Sequence, residues 1–185
     1  MVQAFETPIA LGAWLREHHA RETELWVRMY KKGTGVPSVT WDDCVIVALA
    51  WGWIDGQRKS LDAQSFLQRL SPRRARSSWS KRNCEHAERL IQDGAMQPAG
   101  LAQVEAARAD GRWERAYAGS ADMVIPEAFL SALKDSPEAE KFYRTLNRQN
   151  LFVIYHRIQT AKREETRAKR IAEMIAQLAR GEALH

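Results

Sequence analysis

The sequence is poor in the features that mark several large classes of protein. It has only two cysteines, Cys44 and Cys84, and both lie in apolar helical patterns that favour reduced, buried thiols. Neither cysteine, and no pair among the five histidines, has the spacing of a metal site with a third ligand. No apolar run is long enough to cross a bilayer, and no secretory signal opens the chain. These absences predict a cytoplasmic protein with no metal, no other cofactor and no membrane insertion.

Motifs for common catalytic chemistries are also missing. There is no Gly-x-Ser-x-Gly elbow for a serine nucleophile. The loop Gly33–Pro37 has two glycines, but no Lys-Ser/Thr follows it, so it is predicted to be a turn and not a phosphate loop. Lys31 and Lys32 precede this turn, and two alternatives stay open: they face a binding pocket, or they end an edge strand.

Composition indicates an ordinary globular protein with a mild basic bias. The chain has 185 residues, 45% apolar and 28% charged, with a net charge of +5 and a pI of about 9.4. This length suits a single domain spanning residues 1–185. The bias is too weak for a dedicated nucleic-acid binder, although the basic residues are clustered.

The hydrophobic patterns predict an α+β fold. A mixed part, residues 1–75, carries a small antiparallel sheet packed against helices, and residues 76–185 form a helical half. Thr40 and Ser80 are predicted helix caps, and Ser136 is expected to cap a later helix that begins at Pro137. The last five residues, from Gly181, are expected to fray. The predicted strands are 24–32, 53–60 and 66–70, and the predicted helices are 8–20, 41–51, 80–93, 98–110, a short one after Pro126, 137–146, 150–161 and 164–179.

The most informative segment runs from Trp51 to Asn83. This segment contains three tryptophans. Its part from Arg69 to Arg82 has six basic residues and no acidic one. Guanidinium groups donate paired hydrogen bonds to phosphate or carboxylate, and the start of a helix offers free N–H groups to an anion. We therefore predict an anion site in one water-accessible hollow. Its donors are Arg73, Arg76, Ser80, Lys81 and Asn83, and its stacking or apolar walls are Trp53 and Trp79.

Each candidate also has a structural alternative. Asp55 either orients a donor or a ligand hydroxyl, or sits with Gly56 in a turn or bulge. Ser80 could be only a helix cap, with the arginines solvated and Trp79 in the core. Arg167, on a basic helix, either forms a second lobe of the anion site or belongs to a solvated face that Glu164 and Glu165 neutralise.

The order of short motifs resembles the bacterial YdeI/OmpD-associated family, also labelled bacteriocin-protection proteins, over nearly the whole chain. One departure is Glu164, where many relatives have proline. The matching motifs are Leu25-Trp-Val, Ala48-Leu-Ala-Trp-Gly-Trp-Ile-Asp-Gly56, Ser71-Pro-Arg73, Ser78-Trp-Ser-Lys81 with Asn83, Asp93-Gly-Ala-Met96, Pro98-Ala-Gly100, Asp110-Gly-Arg-Trp113, Val124-Ile-Pro126 and Ala161-Lys-Arg-Glu-Glu-Thr-Arg167.

The resemblance implies a link to bacteriocin or antimicrobial-peptide tolerance, and its name alone implies an association with a porin. From the residues, we expect a binding protein for a small anionic ligand and not an enzyme, with Arg73→Ala abolishing binding at nearly unchanged thermal stability. Two alternatives remain: a nucleic-acid or protein-partner module of the stress response, and a hydrolase or transferase that uses Asp55. The sequence does not indicate an oligomeric state.

Overall fold

The computed structural model describes all residues, 1–185, and the chain divides into two compact units, Met1–Ala116 and Tyr117–His185. Eight helices and one four-stranded sheet confirm the predicted α+β class, with the sheet in the N-terminal half and only helices in the C-terminal half. The single-domain organisation stays a prediction. The first unit contains β1 (Val2–Ala4), α1 (Pro8–His18), β2 (Leu25–Tyr30), α2 (Trp41–Ala50), β3 (Trp53–Ser60), β4 (Ser65–Pro72), α3 (Lys81–Gln92) and α4 (Pro98–Ala109). The second contains α5 (Glu127–Lys134), α6 (Pro137–Tyr143), α7 (Arg148–Gln159) and α8 (Glu164–Ala179).

The sheet of the first unit has the strand order β1-β2-β4-β3. Strand β4 pairs antiparallel with both β2 and β3, as the sequence predicts. Strand β1 was not predicted, and it pairs parallel with β2 through only three residues, from Val2 to Ala4. A strand this short is too brief to show an alternating pattern in the sequence.

One face of the sheet is covered by α1 and α2. Leu25, Val27 and Met29 alternate along β2 and are all buried, in one cluster with Leu11 of α1 and Ala48 of α2. Each fully buried aliphatic side chain of this kind contributes roughly 1.5–3 kcal/mol. The intervening residues of β2 point to the opposite, half-exposed face of the sheet.

Helix α2 begins and ends where the sequence predicts. The Thr40 hydroxyl accepts from the Asp43 N–H, while the Asp43 carboxylate accepts from the Thr40 N–H at 2.8 Å, which is a capping box. Gly52 follows the helix with a positive φ of 73°. A Cβ there would lie 2.7 Å from the carbonyl oxygen of Ala99, so both the conformation and the space require glycine.

Helices α3 and α4 complete a second cluster in the same unit. Ser80 caps α3 by accepting from the Asn83 N–H at 3.2 Å. Helix α4 approaches α2 closely at Gly100, where an added Cβ would overlap the Ala50 carbonyl oxygen. The cluster buries Val45 of α2 against residues of α3 and α4.

The second unit is helical, and it corrects two predictions. Ser136 precedes α6 but makes no side-chain cap hydrogen bond. The C-terminal residues do not fray: Leu184 is buried, and the Asn150 side-chain oxygen accepts from the N–H groups of both Leu184 and His185. A buried amide that fixes two backbone N–H groups holds the tail in place, and sequence periodicity gives no sign of such a contact.

No helix of the chain combines the length and the apolar character that a bilayer-spanning helix needs.

Candidate functional site

Arg73, the first predicted anion donor, is a buried residue. Only 5% of it is exposed, and its guanidinium lies 3.8 Å from the ring centroid of Trp79. It donates to the Ser78 carbonyl oxygen at 2.9 Å, and its backbone N–H donates to the Gly52 carbonyl oxygen. Arg73 therefore holds together the turn that follows β4 and the indole beneath it.

The two predicted wall residues, Trp53 and Trp79, are also inside the unit. They are 1% and 2% exposed, so neither ring offers a face to solvent in this structure. Trp53 lies in the cluster under the sheet and donates its indole N–H to the His19 carbonyl oxygen at 3.2 Å. Trp79 lies in the other cluster, with its ring centroid 4.9 Å from that of Trp113.

A second buried arginine, which the sequence did not single out, supports the same turn. Arg112 is 5% exposed and donates to the Ser77 carbonyl oxygen at 3.1 Å and to the Asp110 carboxylate at 2.7 Å. The adjacent carbonyls of Ser77 and Ser78 thus each accept from a buried guanidinium. Arg73 of the arginine-rich segment and Arg112 from outside it therefore both stabilise the turn.

The remaining donors of the predicted site lie at the surface, near the start of α3. Arg76 and Lys81 are exposed and form no ion pair. Ser80 is half-buried and uses its hydroxyl as the helix cap, and Asn83 is half-buried. Their binding of an anion stays a prediction.

Asp55 lies at a bulge near the start of β3. Its Oδ2 accepts from the indole N–H of Trp41 at 3.2 Å. Burial raises the pKa of the Asp55 carboxyl above its ordinary value, although the hydrogen bond from Trp41 and the cations Arg73 and Arg82 act in the opposite direction. Within the protein, Asp55 thus accepts from Trp41, and its role toward a ligand stays a prediction.

Trp41 connects Asp55 to a polar network on α2 and α3. The guanidinium of Arg82 lies 4.7 Å from the Trp41 ring centroid and pairs with Asp42 at 2.6 Å. Arg82 also donates to Nε2 of His86 at 3.3 Å. Burial, followed by the charges of Arg89 and Arg82, holds the pKa of His86 below its ordinary value, which keeps the imidazole neutral near pH 7.

The other side of this region opens into a cleft of about 540 Å³. It lies between the end of β2, the loop that follows it, the start of α2, the end of β3 and the start of β4. Three cationic side chains line the cleft and no carboxylate does. We call it the Trp41 cleft, and its lining residues are Met29, Tyr30, Lys31, Lys32, Gly33, Thr34, Gly35, Val36, Ser38, Val39, Thr40, Trp41, Arg58 and Phe66.

A β-bulge decides which cation of β3 lines the cleft. Asp55 pairs with Leu70 and Arg58 pairs with Gln68, so β3 has one extra residue between these two pairs. The bulge places Asp55 and Arg58 on the same face of the strand, three residues apart. Arg58 then lies over the Phe66 ring, 3.8 Å from its centroid, and Lys59 lies over Trp26 of β2.

The loop after β2 forms the rim of the cleft. The Thr34 hydroxyl donates to the Lys31 carbonyl oxygen and accepts from the Val36 N–H, which closes the loop on itself. Gly33 and Gly35 have positive φ values of 91° and 73°, which other residues adopt with difficulty. The ammonium of Lys31 donates to the Ala63 carbonyl oxygen at 2.9 Å. The ammonium of Lys32, in contrast, forms no hydrogen bond or ion pair within the protein.

Other residues considered as functional candidates lie outside the cleft. Arg167 lies in the second unit at the start of α8, where it pairs with Glu164 at 2.7 Å, as the solvated-face alternative requires. Burial raises the pKa of the Cys44 and Cys84 thiols to about 12, so neither is a thiolate at neutral pH. No three histidine, cysteine or acidic residues lie close enough together to hold a metal ion.

Comparison with known proteins gives two family matches, one in each unit. Residues 3–103, more than half of the chain, match a domain of unknown function, DUF8412. Residues 122–181 match the family described as bacteriocin-protection, YdeI or OmpD-associated. That second match is shorter than the nearly whole-chain resemblance expected from the motifs. No curated protein and no solved structure matches the chain. The chain thus belongs to the family defined by the DUF8412 domain, and its residues 122–181 confirm the resemblance to the bacteriocin-protection, YdeI or OmpD-associated proteins.

Proposed function

We propose that this protein binds a small anionic ligand and that the Trp41 cleft is the binding site. One observation carries the proposal: the cleft is lined by Lys31, Lys32 and Arg58 and by no acidic side chain. In a chain with 23 acidic residues against 28 basic ones, a concave surface lined by three cations and no carboxylate favours an anionic ligand. Its volume of about 540 Å³ is within the usual range of ligand pockets, roughly 300–1,000 Å³.

The two cations best placed to contact a ligand are Arg58 and Lys32. Neither forms an ion pair within the protein. The guanidinium of Arg58 lies over the Phe66 ring, which limits its motion. A charge-assisted hydrogen bond to either group contributes about 1.5–3 kcal/mol. Removal of one of them should therefore weaken binding by roughly ten- to a hundredfold.

The test is a thermal-shift screen with inorganic phosphate, pyrophosphate and citrate, followed by calorimetry on any compound that raises the melting temperature. A ligand at a hundred times its dissociation constant stabilises the native state by about 2.7 kcal/mol. We expect Arg58→Ala and Lys32→Ala each to remove about half or more of this stabilisation at the same ligand concentration. Lys59→Ala is the matched control, because Lys59 follows Arg58 on β3 but lies against Trp26 and does not line the cleft.

Arg76→Ala separates the cleft from the basic turn predicted from the sequence. Arg76 is exposed, unpaired and does not line the cleft. If Arg76→Ala loses binding and Arg58→Ala retains it, the basic turn is the site and the cleft is not. If none of the anions raises the melting temperature, the proposal of a small-anion site is refuted.

One observation at Asp55 supports a second candidate function, that of a hydrolase or transferase. A carboxyl whose pKa is raised by burial, next to cations, is a common property of a general base. Its Oδ2 already accepts from Trp41, so we favour binding over catalysis. The test compares the rates at which the wild-type protein and Asp55→Asn hydrolyse phosphoesters and esters. Equal rates would refute the enzymatic alternative.

A further inference from the structure

We infer that the ligand of the Trp41 cleft is a planar aromatic anion, with Trp41 as the stacking platform for its ring. This inference rests on the proposed function, because it specifies what the anion is attached to. The chemistry required is a flat ring next to a phosphate or carboxylate group, which both nucleotides and aromatic acids provide.

Trp41 is exposed, yet its position is held at two points. It is 39% exposed, although an indole of this size is normally buried in a core or at an interface. Asp55 accepts its N–H, and Arg82 stacks on one face of the ring. No other ring or cation stacks on Trp41, and the residue lines the cleft. A ring that is already oriented loses little conformational freedom when a ligand stacks on it.

The rest of the cleft suits the same class of ligand. Arg58 and Lys32 supply the positive charge for the anionic group, and Phe66 and Val36 add apolar surface. An inorganic anion alone would gain nothing from these apolar residues. A ligand with both a ring and a charge uses both kinds of lining, as most small-molecule sites do.

The experiment measures binding of adenosine 5′-monophosphate, ribose 5-phosphate, benzoate and adenosine to the full-length protein by calorimetry. We expect adenosine 5′-monophosphate or benzoate to bind about tenfold or more tightly than ribose 5-phosphate. Trp41→Leu should remove that preference while affinity for ribose 5-phosphate stays the same. Trp41→Phe, which keeps a flat ring but not the N–H, should retain most of it. Trp26→Leu is the matched control, because Trp26 lies on the opposite face of the sheet, and thermal melting verifies that each variant is folded.

The outcomes distinguish this inference from the proposed function. If ribose 5-phosphate binds as tightly as both aromatic anions, the ring contributes nothing and the inference is overturned, while the anion site stands. If neutral adenosine binds as tightly as its monophosphate and Arg58→Ala has no effect, the anion site itself fails. An unchanged aromatic preference in Trp41→Leu would also overturn the inference.

Discussion

Replacement of Arg73 by alanine tests the central revision that the structure makes. The sequence predicts a solvent-facing ligand donor, so that Arg73→Ala would abolish binding at nearly unchanged stability. In the structure, the side chain is buried against Trp79 and donates to the Ser78 carbonyl oxygen. We therefore expect Arg73→Ala to cost stability, whatever it does to binding.

The magnitude follows from the contacts that the substitution removes. A hydrogen bond from a charged donor contributes about 1.5–3 kcal/mol, and a desolvated cation–π contact contributes about 2 kcal/mol. These two contributions share one side chain and are not additive, so we expect a loss of about 3 kcal/mol. For a chain of this size, each kcal/mol lowers the melting temperature by about 2–4 °C, which predicts a decrease of roughly 6–12 °C.

The assay is thermal and urea unfolding of wild type, Arg73→Ala, Arg73→Lys and Arg76→Ala. Arg73→Lys keeps the charge but not the flat guanidinium, and it should fall between wild type and Arg73→Ala. Arg76→Ala removes an exposed arginine from the same turn, and it should stay within about 0.5 kcal/mol of wild type. If Arg73→Ala is as stable as Arg76→Ala, the stacked arginine is not an architectural residue and our reasoning about the turn is wrong.

Further predictions concern other parts of the chain. Asp55→Asn should raise stability at neutral pH, measured by urea unfolding, because a raised folded-state pKa means that the ionised carboxyl opposes folding above that pKa, while an amide still accepts from Trp41. Stability should fall as pH decreases below about 6.5, since the lowered pKa of His86 means that the unfolded chain binds the proton first, and His86→Gln should flatten that part of the pH profile. Gly100→Ala should lower the melting temperature strongly, because its Cβ would overlap the carbonyl oxygens of Leu49 and Ala50 in α2. Asn150→Ala should raise hydrogen exchange at the N–H of Leu184, and unchanged protection there would show that the tail is held by other contacts.

Much of the fold was predictable because its signals are local. The capping residue Thr40, the stop at Gly52 and the alternation of Leu25, Val27 and Met29 each appear within one turn or one strand of sequence. Strand β1 and the fixed C-terminal tail were missed because each depends on a partner distant in the chain.

The candidate site was less predictable because residue type does not reveal which way a side chain points. An arginine-rich turn with tryptophans is a reasonable pattern for a surface site. Arg73 and Trp79 instead bury each other, because a flat guanidinium packs well on an indole once a carbonyl accepts its N–H. Arg112, which is distant in sequence, also donates to a carbonyl oxygen of this turn, that of Ser77.

The sequence by itself determined the α+β class, most of the helix and strand positions, the family resemblance and the presence of clustered positive charge. The tertiary structure alone decided which of the positive charges share a concave surface. Arg58 lines the Trp41 cleft because one extra residue in β3, after Asp55, shifts its register against β4. Side chains alternate between the two faces of a strand, so a shift of one residue exchanges the faces. The register is set by hydrogen bonds between two strands, and the residue types of one strand do not reveal it.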